Sequence, residues 1–239
     1  MNLKEKATAF LRRECSGWKA WEVAWMALAT LVIIGLSLYW EDTLMGIISS
    51  TTGVICVICT GKGKLSAYLF GLVNCFLYAI IAYQATYYGE TMLNILYYVP
   101  MQFVGFRVWS KNMNEETGEV RKRHMKPLHR AITVAGIALA TVVYGWLLAY
   151  LGDAMPYVDS FTTVSSVAAM IISVWMFAEQ WWLWVAVDLF SVYMWWVSFR
   201  QGQDNMATLL MWAVYLGNAV IMTVKWETEI RGTRKEVQP

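Results

Sequence analysis

The sequence predicts an all-α integral membrane protein, and three observations support that prediction. Of 239 residues, 58% are hydrophobic and only 15% are charged, whereas an ordinary soluble domain is about a quarter charged. The mean hydropathy is +0.44. Eight segments are each close to the length of about 20 mostly apolar residues that crosses a bilayer. A soluble domain of this size could not bury so much apolar surface, so lipid is the expected solvent.

The eight apolar segments predict eight transmembrane helices in succession. They span residues 21–40, 43–60, 66–88, 91–109, 131–151, 160–178, 181–199 and 206–226. Each is too long and too continuously apolar for a strand of an outer-membrane barrel. The first is too long for the apolar core of a signal peptide and lacks a small-residue cleavage site, so we expect it to be retained.

The positions of the basic residues predict the orientation. With a cytoplasmic N-terminus, 18 of the 19 Lys and Arg residues fall on the cytoplasmic side, and Arg200 is the exception. An even number of spans then places both termini in the cytoplasm. The basic loop 110–130 also contains His124 and His129. We interpret it as a loop that faces solvent or lipid headgroups and not as a metal site. The net charge of +2 suggests no nucleic-acid partner.

An internal repeat relates the two halves of the chain. Residues 68–109 align with residues 182–226 at an offset that begins at 114 and drifts to 117. Polar residues then recur at the same depth, Asn74 with Asp188 and Gln102 with Asn218.

The alignment predicts two three-helix repeats. Three spans alone would leave the second repeat inverted in the membrane, but the helix between the repeats crosses the membrane once more. The two repeats therefore have the same orientation. The predicted parts are an N-terminal region with an extra helix (1–42), the first repeat (43–109), a basic loop and linker helix (110–151), the second repeat (159–226) and a cytoplasmic tail (227–239). Parallel repeats of this kind enclose a substrate site near the bilayer midplane. The architecture therefore predicts a transporter.

Asp188 is the candidate for the centre of that site. The charged residues inside the predicted spans are Glu22, Arg107, Asp188 and Lys225, and only Asp188 is far from a helix end. A central charge costs about 3 kcal/mol, so Asp188 should face a cavity or a partner. The alternative is a hydrogen-bonded Asp that holds two helices together. Trp184 shares its helix face and Trp182 lies on a neighbouring face; such aromatic walls suit a planar or cationic ligand. An aromatic belt at the membrane interface is the alternative for this tryptophan cluster.

Uncharged polar residues extend the candidate site. Asn74, Gln102, Tyr215 and Asn218 lie within predicted spans. Each could line a cavity for a polar molecule with a flat ring, and interhelical hydrogen bonding is the alternative for each. Pro100 lies within the fourth span, where a kink could act as a gate.

The sequence offers no basis for enzymatic activity. It contains no nucleophile paired with His, no Walker-type glycine loop and no cluster of metal ligands. We therefore expect neither a catalytic site nor a metal, and no cofactor.

Two blocks of sequence resemble the PnuC-type nicotinamide riboside transporters, a family related in fold to the SWEET sugar transporters. The first block, residues 74–109, has Asn74 and Tyr78, an acidic Tyr-Gly motif at residues 88–90, and a terminal Trp109. The second, residues 179–196, has Trp181, Trp184 and Asp188 at the family's spacing. The resemblance extends from about residue 43 to residue 226. Phe106 departs from it where Trp is common.

The resemblance implies a SWEET-like 3+1+3 arrangement in the bacterial inner membrane. It also implies uptake of nicotinamide riboside, an NAD precursor, by facilitated diffusion, with trapping by a cytoplasmic riboside kinase. The pyridine ring would stack on Trp182 or Trp184, and Asp188 would complement its charge. The groups for the carboxamide and the ribose hydroxyls would be Asn74, Gln102, Tyr215 and Asn218. Oligomeric state stays open, with a homo-oligomer as one option.

Two other functions stay open at this point. One is proton-coupled or facilitated transport of another vitamin or sugar-like molecule, with Asp188 as the proton carrier. The other is a membrane-embedded binding subunit that transports nothing. A pore is disfavoured, because the sequence shows no ring of charges and no carbonyl-filter motif.

Overall fold

The computed structural model describes residues 3–41, 43–84, 91–115, 117–152, 155–200 and 206–237. Most of these residues are helical, and no strand lies among them beyond the isolated bridges Met113–Val120 and Arg123–Phe177. The predicted all-α class is confirmed. Residues 88–90, which contain the Tyr-Gly motif, lie outside the described residues.

The described helices overlap the predicted apolar segments, and the last helix continues to Val237, within the predicted tail 227–239. They are α1 (Leu3–Cys15), α2 (Ala20–Tyr39), α3 (Leu44–Lys62), α4 (Ser66–Gln84), a π-helix (Leu93–Tyr98), α5 (Val99–Ser110), α6 (Pro127–Tyr150), α7 (Pro156–Val174), α8 (Gln180–Arg200) and α9 (Met206–Val237). The sequence analysis did not predict α1, whose short apolar face is interrupted by charges. It also predicted one continuous fourth segment, where the structure has a π-helix followed by α5.

Five helical segments of the described chain are long and apolar enough to cross a membrane by length and composition. These are α2, α3, α6, α7 and residues Leu209–Gly232 of α9. A shorter apolar stretch, Ser66–Ile81, belongs to α4. The helices therefore have the dimensions of a multi-pass membrane protein.

The chain forms two compact units, Met1–Arg121 and Lys122–Pro239. In the first unit α3 packs along α4, α2 packs on α3, and the π-helix and α5 pack on α4. In the second unit α6 packs on α7, α7 on α8, and α8 on α9. Each unit thus contains a series of helices in which successive helices pack on one another.

The α3–α4 and α7–α8 turns have the same hydrogen bonds. Gly63 is left-handed with φ 81°, and the next amide, of Lys64, donates to the Cys59 carbonyl at 3.0 Å. Met176 is left-handed with φ 62°, and the next amide, of Phe177, donates to the Ile172 carbonyl at 3.1 Å. Both turns are Schellman-type ends of the preceding helix. The two units therefore correspond at this turn, Gly63 to Met176.

The turns correct the register of the repeat by one residue. Since α4 and α8 are each uninterrupted, the match of Gly63 to Met176 makes Cys75 correspond to Asp188, an offset one less than the predicted 114. The predicted match of Asn74 to Asp188 was wrong. The alignment followed polar side chains, whereas the turn's hydrogen bonds set which faces correspond. By the same register Gly71 corresponds to Trp184.

Each unit joins its central helix to its last helix through an aromatic pair. The Tyr68 and Trp109 rings meet edge to face with centroids 5.0 Å apart, and the Trp181 and Trp226 rings do so at 5.8 Å. Trp109 and Trp226 are both fully buried. Gly105 permits the first contact, because a Cβ there would lie 2.1 Å from the Tyr68 ring.

Two buried lysines, Lys62 at the end of α3 and Lys64 in the α3–α4 turn, bind groups of α1, α2 and the basic loop. The Lys62 ammonium lies 2.6 Å from the Glu22 carboxylate and 2.8 Å from that of Glu119. The Lys64 ammonium donates to the carbonyls of Arg13 at 3.0 Å and Gly118 at 2.9 Å. Burial lowers the pKa of Lys64, and nearby carboxylates act in the opposite direction. We call Lys62 and Lys64, together with these partners, the lysine clasp.

The basic loop is folded onto the two turns. Val120 donates its amide to the Gly63 carbonyl at 2.9 Å, and Arg123 donates to the Met176 carbonyl at 3.1 Å. Glu179 accepts from the Met125 amide at 3.1 Å and from Arg130 at 2.5 Å. Each half of the loop thus fastens to its own unit, whereas the sequence predicted a loop facing solvent or headgroups.

Candidate functional site

Asp188 lies in the middle of α8 with its side chain 3% exposed. No hydrogen bond or ion pair joins its carboxylate to another residue in the described part of the chain. A buried carboxylate without a protein partner is costly, so it needs a ligand, a proton or water beside it. The predicted alternative, an Asp that holds two helices together, finds no support among the described contacts.

The face of α8 that contains Asp188 is the buried face of this helix. Trp181 is 2% exposed and Ser191 is 6% exposed. Trp184, one turn before Asp188, is half-buried, whereas Trp182 is 61% exposed. Of the two tryptophans predicted as a wall, only Trp184 therefore lies on the face of Asp188.

The second unit adds two predicted residues on α9, which packs against α8. Asn218 is 1% exposed. Tyr215 is half-buried, and its ring meets that of Trp212 edge to face at 5.6 Å. Asn218 and Tyr215 thus place an amide and a phenol on α9, the helix that packs against the helix of Asp188.

Gln102 is the buried amide of the first unit. It is 7% exposed, and its Nε2 lies 3.6 Å from the Cys75 Sγ, a weak acceptor. Its Oε1 accepts no hydrogen bond from any residue of the described ranges. The Gln102 amide thus keeps hydrogen-bonding capacity that the protein does not use.

Asn74 is engaged differently from Gln102. Its Nδ2 donates to the Ser49 carbonyl at 2.8 Å and lies 3.4 Å from the Ser49 Oγ. This bond joins α4 to α3, as the structural alternative for Asn74 predicts. A role in substrate binding stays a prediction for Asn74.

Pro100 is the second residue of α5, immediately after the π-helix. The Val99 amide reaches back to the Asn94 carbonyl, five residues earlier, as in a π-turn. The irregularity that the sequence predicted at Pro100 is therefore a change from π- to α-geometry. Its gating role stays a prediction.

The comparisons with known proteins agree with this architecture. Residues 43–228 match the family model described as nicotinamide mononucleotide transporter. The nicotinamide riboside transporter PnuC of Neisseria mucosa is 36% identical over 229 residues, which cover 93% of this chain and 87% of that protein. The chain belongs to the PnuC transporter family. The predicted family is confirmed, and it is a family of transporters and not of enzymes.

Other PnuC proteins resemble the chain over nearly its whole length. The nicotinamide riboside transporter PnuC of Haemophilus influenzae is 30% identical over 226 residues, 91% of this chain and 94% of that protein. The solved structure titled "Crystal structure of the Vitamin B3 transporter PnuC" superposes with a TM-score of 0.83 at 35% identity, covering 93% of this chain and 97% of that chain. The chain is thus a multi-pass membrane protein of a bacterial transporter family.

Some polar atoms that the sequence analysis missed are buried without partners in this PnuC-family chain. They are the Ser165 Oγ and both amide atoms of Gln180, together with the indole nitrogens of Trp181 and Trp212. Gly71 and Cys75 were missed too, because a glycine or thiol within an apolar helix gives no polar signal. Among the described residues, no group of three His, Cys, Asp or Glu could hold a metal.

Proposed function

We propose that this protein takes up nicotinamide riboside by facilitated diffusion. The observation that supports this most directly is Asp188, a buried carboxylate with no partner among the described residues, one turn from the half-buried Trp184. Nicotinamide riboside contains a flat pyridinium ring, which offers both a positive charge and an aromatic face. The riboside named for the Neisseria and Haemophilus relatives is the substrate that fits this pair.

Asp188 and Trp184 would act on different parts of the same ring. The carboxylate compensates the pyridinium charge in a low-dielectric site, where an unpaired charge on either partner is costly. The indole stacks on the ring face and adds cation–π attraction. Trp182, with 61% of its side chain exposed, would be the weaker wall.

The amide side chains would form hydrogen bonds with the parts of the substrate outside the pyridinium ring. Gln102 and Asn218 are both buried and can bind the carboxamide and the ribose hydroxyls. Tyr215 can donate a further hydrogen bond, and Asn74 can offer its carbonyl oxygen, since its Nδ2 is committed to Ser49. A hydroxyl-reading site of this kind discriminates strongly against analogues that leave its polar groups unpaired.

The site favours the riboside over the mononucleotide. The family model is described by the mononucleotide, which bears a phosphate of about −2 charge, like other phosphate monoesters at neutral pH. The Lys and Arg residues within the predicted spans, Arg107 and Lys225, lie near the ends of those spans. A phosphate would meet the Asp188 carboxylate without a compensating cation.

The same charge argument explains retention in the cell. A cytoplasmic riboside kinase would add a phosphate to the imported substrate, and the product would no longer fit beside Asp188. Facilitated diffusion followed by phosphorylation then gives net uptake without ion coupling. We place the protein in the bacterial inner membrane with both termini in the cytoplasm, on the basis of its Lys and Arg distribution.

Transport would proceed by alternating access of two repeats. We propose eight spans arranged as 3+1+3 plus the N-terminal helix, with repeats at 43–109 and 159–226 and the linker at 110–151. The matching turns at Gly63 and Met176 support the repeat. Pro100, at the junction of π- and α-helix, would be the place where α5 bends during gating.

Proton coupling is the second candidate, and the unpartnered Asp188 carboxylate favours it. In that case Asp188 carries the proton, and a pH gradient drives accumulation. If the Asp188→Asn variant showed the same accumulation and pH dependence as the parent protein, this candidate would be excluded.

A ligand screen on the purified protein tests the proposed substrate. Nicotinamide riboside should raise the Tm in a concentration-dependent manner, because binding to the folded state stabilises it. Nicotinamide, nicotinamide mononucleotide, thiamine and glucose should give smaller shifts or none. Asp188→Asn is the matched control and should lose most of the shift. A Tm shift with thiamine or glucose, and none with the riboside, would contradict the proposal.

A further inference from the structure

Gly71 lies directly beneath the carboxamide of Gln102. A Cβ placed on Gly71 would lie 2.6 Å from the Gln102 Oε1 and 2.9 Å from its Cδ. A Cβ essentially never comes this close to an atom to which it is not bonded, so the amide occupies the space that a side chain at position 71 would fill. Only glycine allows α5 to lay this amide on α4.

Cys75, one turn further along α4, provides the second contact. The Gln102 Nε2 lies 3.6 Å from the Cys75 Sγ, and the Gln102 side chain is 7% exposed. A thiol is a weak acceptor, so it orients the amide without satisfying it. Gly71 and Cys75 together fix where the amide lies and leave its hydrogen-bonding capacity for another partner.

The corresponding face of the second unit has a different composition. By the register of the matching turns, Gly71 corresponds to Trp184 and Cys75 to Asp188. In the second unit this face presents an indole and a carboxylate without a described partner. In the first unit the corresponding residues are the smaller Gly71 and Cys75, which contact the side-chain amide of Gln102 from α5. The same helix face is therefore adapted to position Gln102.

We propose that Gly71, assisted by Cys75, is a positioning residue that sets the Gln102 amide for substrate recognition. The inference rests on the proposed function, in which Gln102 binds the carboxamide or the ribose. Gly71 touches no substrate itself and acts through the space it leaves. Adding one methyl group at this position displaces the amide and weakens its hydrogen bond to the ligand.

A double-mutant cycle tests this dependence. Gly71→Ala and Gln102→Ala should each raise the Kd and the KM for nicotinamide riboside by about five- to tenfold, the loss of one hydrogen bond, with a smaller change in kcat. The double variant should bind no more weakly than Gln102→Ala alone. Gly136→Ala is the matched control, because a Cβ there meets nothing within 4 Å; its Kd should not change.

The cycle also distinguishes an effect of Gly71→Ala that acts through Gln102 from one that acts through Cys56, the other residue that a new Cβ would meet. A Cβ on Gly71 would lie 3.1 Å from the Cys56 Sγ as well. If Gly71→Ala weakens binding equally in the Gln102→Ala background, its effect does not pass through Gln102 and the inference is overturned. If Gly71→Ala does not fold, Cys75→Val takes its place in the cycle, since it displaces the amide from the other contact.

A readout without substrate keeps this test independent of the proposed function. The Gln102 amide covers the Cys75 thiol, so alkylation of Cys75 by a small reagent, followed by peptide mass spectrometry, should be faster in Gly71→Ala and in Gln102→Ala than in the parent or in Gly136→Ala. Unchanged alkylation in Gly71→Ala would overturn the inference even if the riboside binds. Faster alkylation with no riboside binding would uphold the positioning and contradict the proposed substrate.

Discussion

Gly63 and Met176 occupy corresponding turns and share a left-handed backbone, with φ values of 81° and 62°. Each carbonyl accepts an amide from the basic loop, from Val120 at Gly63 and from Arg123 at Met176. Methionine tolerates this conformation poorly. Its presence in the second turn indicates that the turn and its loop contacts hold the backbone in place.

The left-handed turn predicts that Gly63→Ala destabilises the protein. A Cβ in this conformation costs about 1 to 2 kcal/mol, and we expect the free energy of unfolding in detergent to fall by that amount. Gly136→Ala, in an open position within α6, should be neutral or slightly stabilising because alanine favours the helix. Equal stabilities for the two variants would show that the turn tolerates a side chain.

The lysine clasp predicts a large effect at Lys64. Its ammonium is fully buried and donates to backbone carbonyls of α1 and the loop. Lys64→Met removes the ammonium from both carbonyls, and the Arg13 carbonyl keeps the Ser16 hydroxyl as a donor at 2.8 Å. The free energy of unfolding should therefore fall by about 1 to 3 kcal/mol, mainly through the Gly118 carbonyl. Lys111→Met, at an exposed position, should change it little. A stable Lys64→Met variant would mean that water replaces the ammonium.

Asp188 predicts a charge-dependent loss of affinity. Asp188→Asn keeps the size of the side chain and removes its charge, so the Kd for the pyridinium riboside should rise about tenfold, or about 1.4 kcal/mol. The reduced, uncharged dihydropyridine riboside should bind the two proteins equally well. Calorimetry with both ligands measures the difference. An equal loss for both ligands would indicate a role for Asp188 other than charge compensation.

The two neighbouring tryptophans predict unequal effects. Trp184→Ala removes the half-buried ring on the Asp188 face and should weaken riboside binding by about 1 to 3 kcal/mol. Trp182→Ala removes a ring that is 61% exposed and should weaken binding less. Tryptophan fluorescence quenching by the riboside would report the same difference. A larger effect at Trp182 would place the ring wall on the other face of α8.

The sequence predicted the helical class and the positions of the helices well, because long apolar segments have few alternatives in lipid. It did not predict α1 or the folding of the basic loop onto the turns, since both depend on contacts such as Lys64 with the Gly118 carbonyl. Charge patterns alone indicate which side of a membrane a loop faces and not what it touches.

The candidate site was only partly predictable. Asp188 was identifiable because a central charge in an apolar segment is rare. Its counterpart in the first repeat was predicted one residue away from the correct position. The sequence alignment paired Asp188 with the polar Asn74, whereas the hydrogen bonds of the matching turns pair it with Cys75. Gly71 could not be identified from sequence, because its function is the space it leaves for Gln102.

Flux through the purified protein in liposomes tests the central claim most directly. Labelled nicotinamide riboside should enter saturably and stop at equal concentrations inside and outside, with or without a pH gradient. A riboside kinase and ATP sealed inside should convert equilibration into accumulation, and Asp188→Asn should slow entry at low substrate concentration. Entry no faster than into protein-free liposomes, despite measurable binding, would contradict the account and leave a binding subunit that transports nothing.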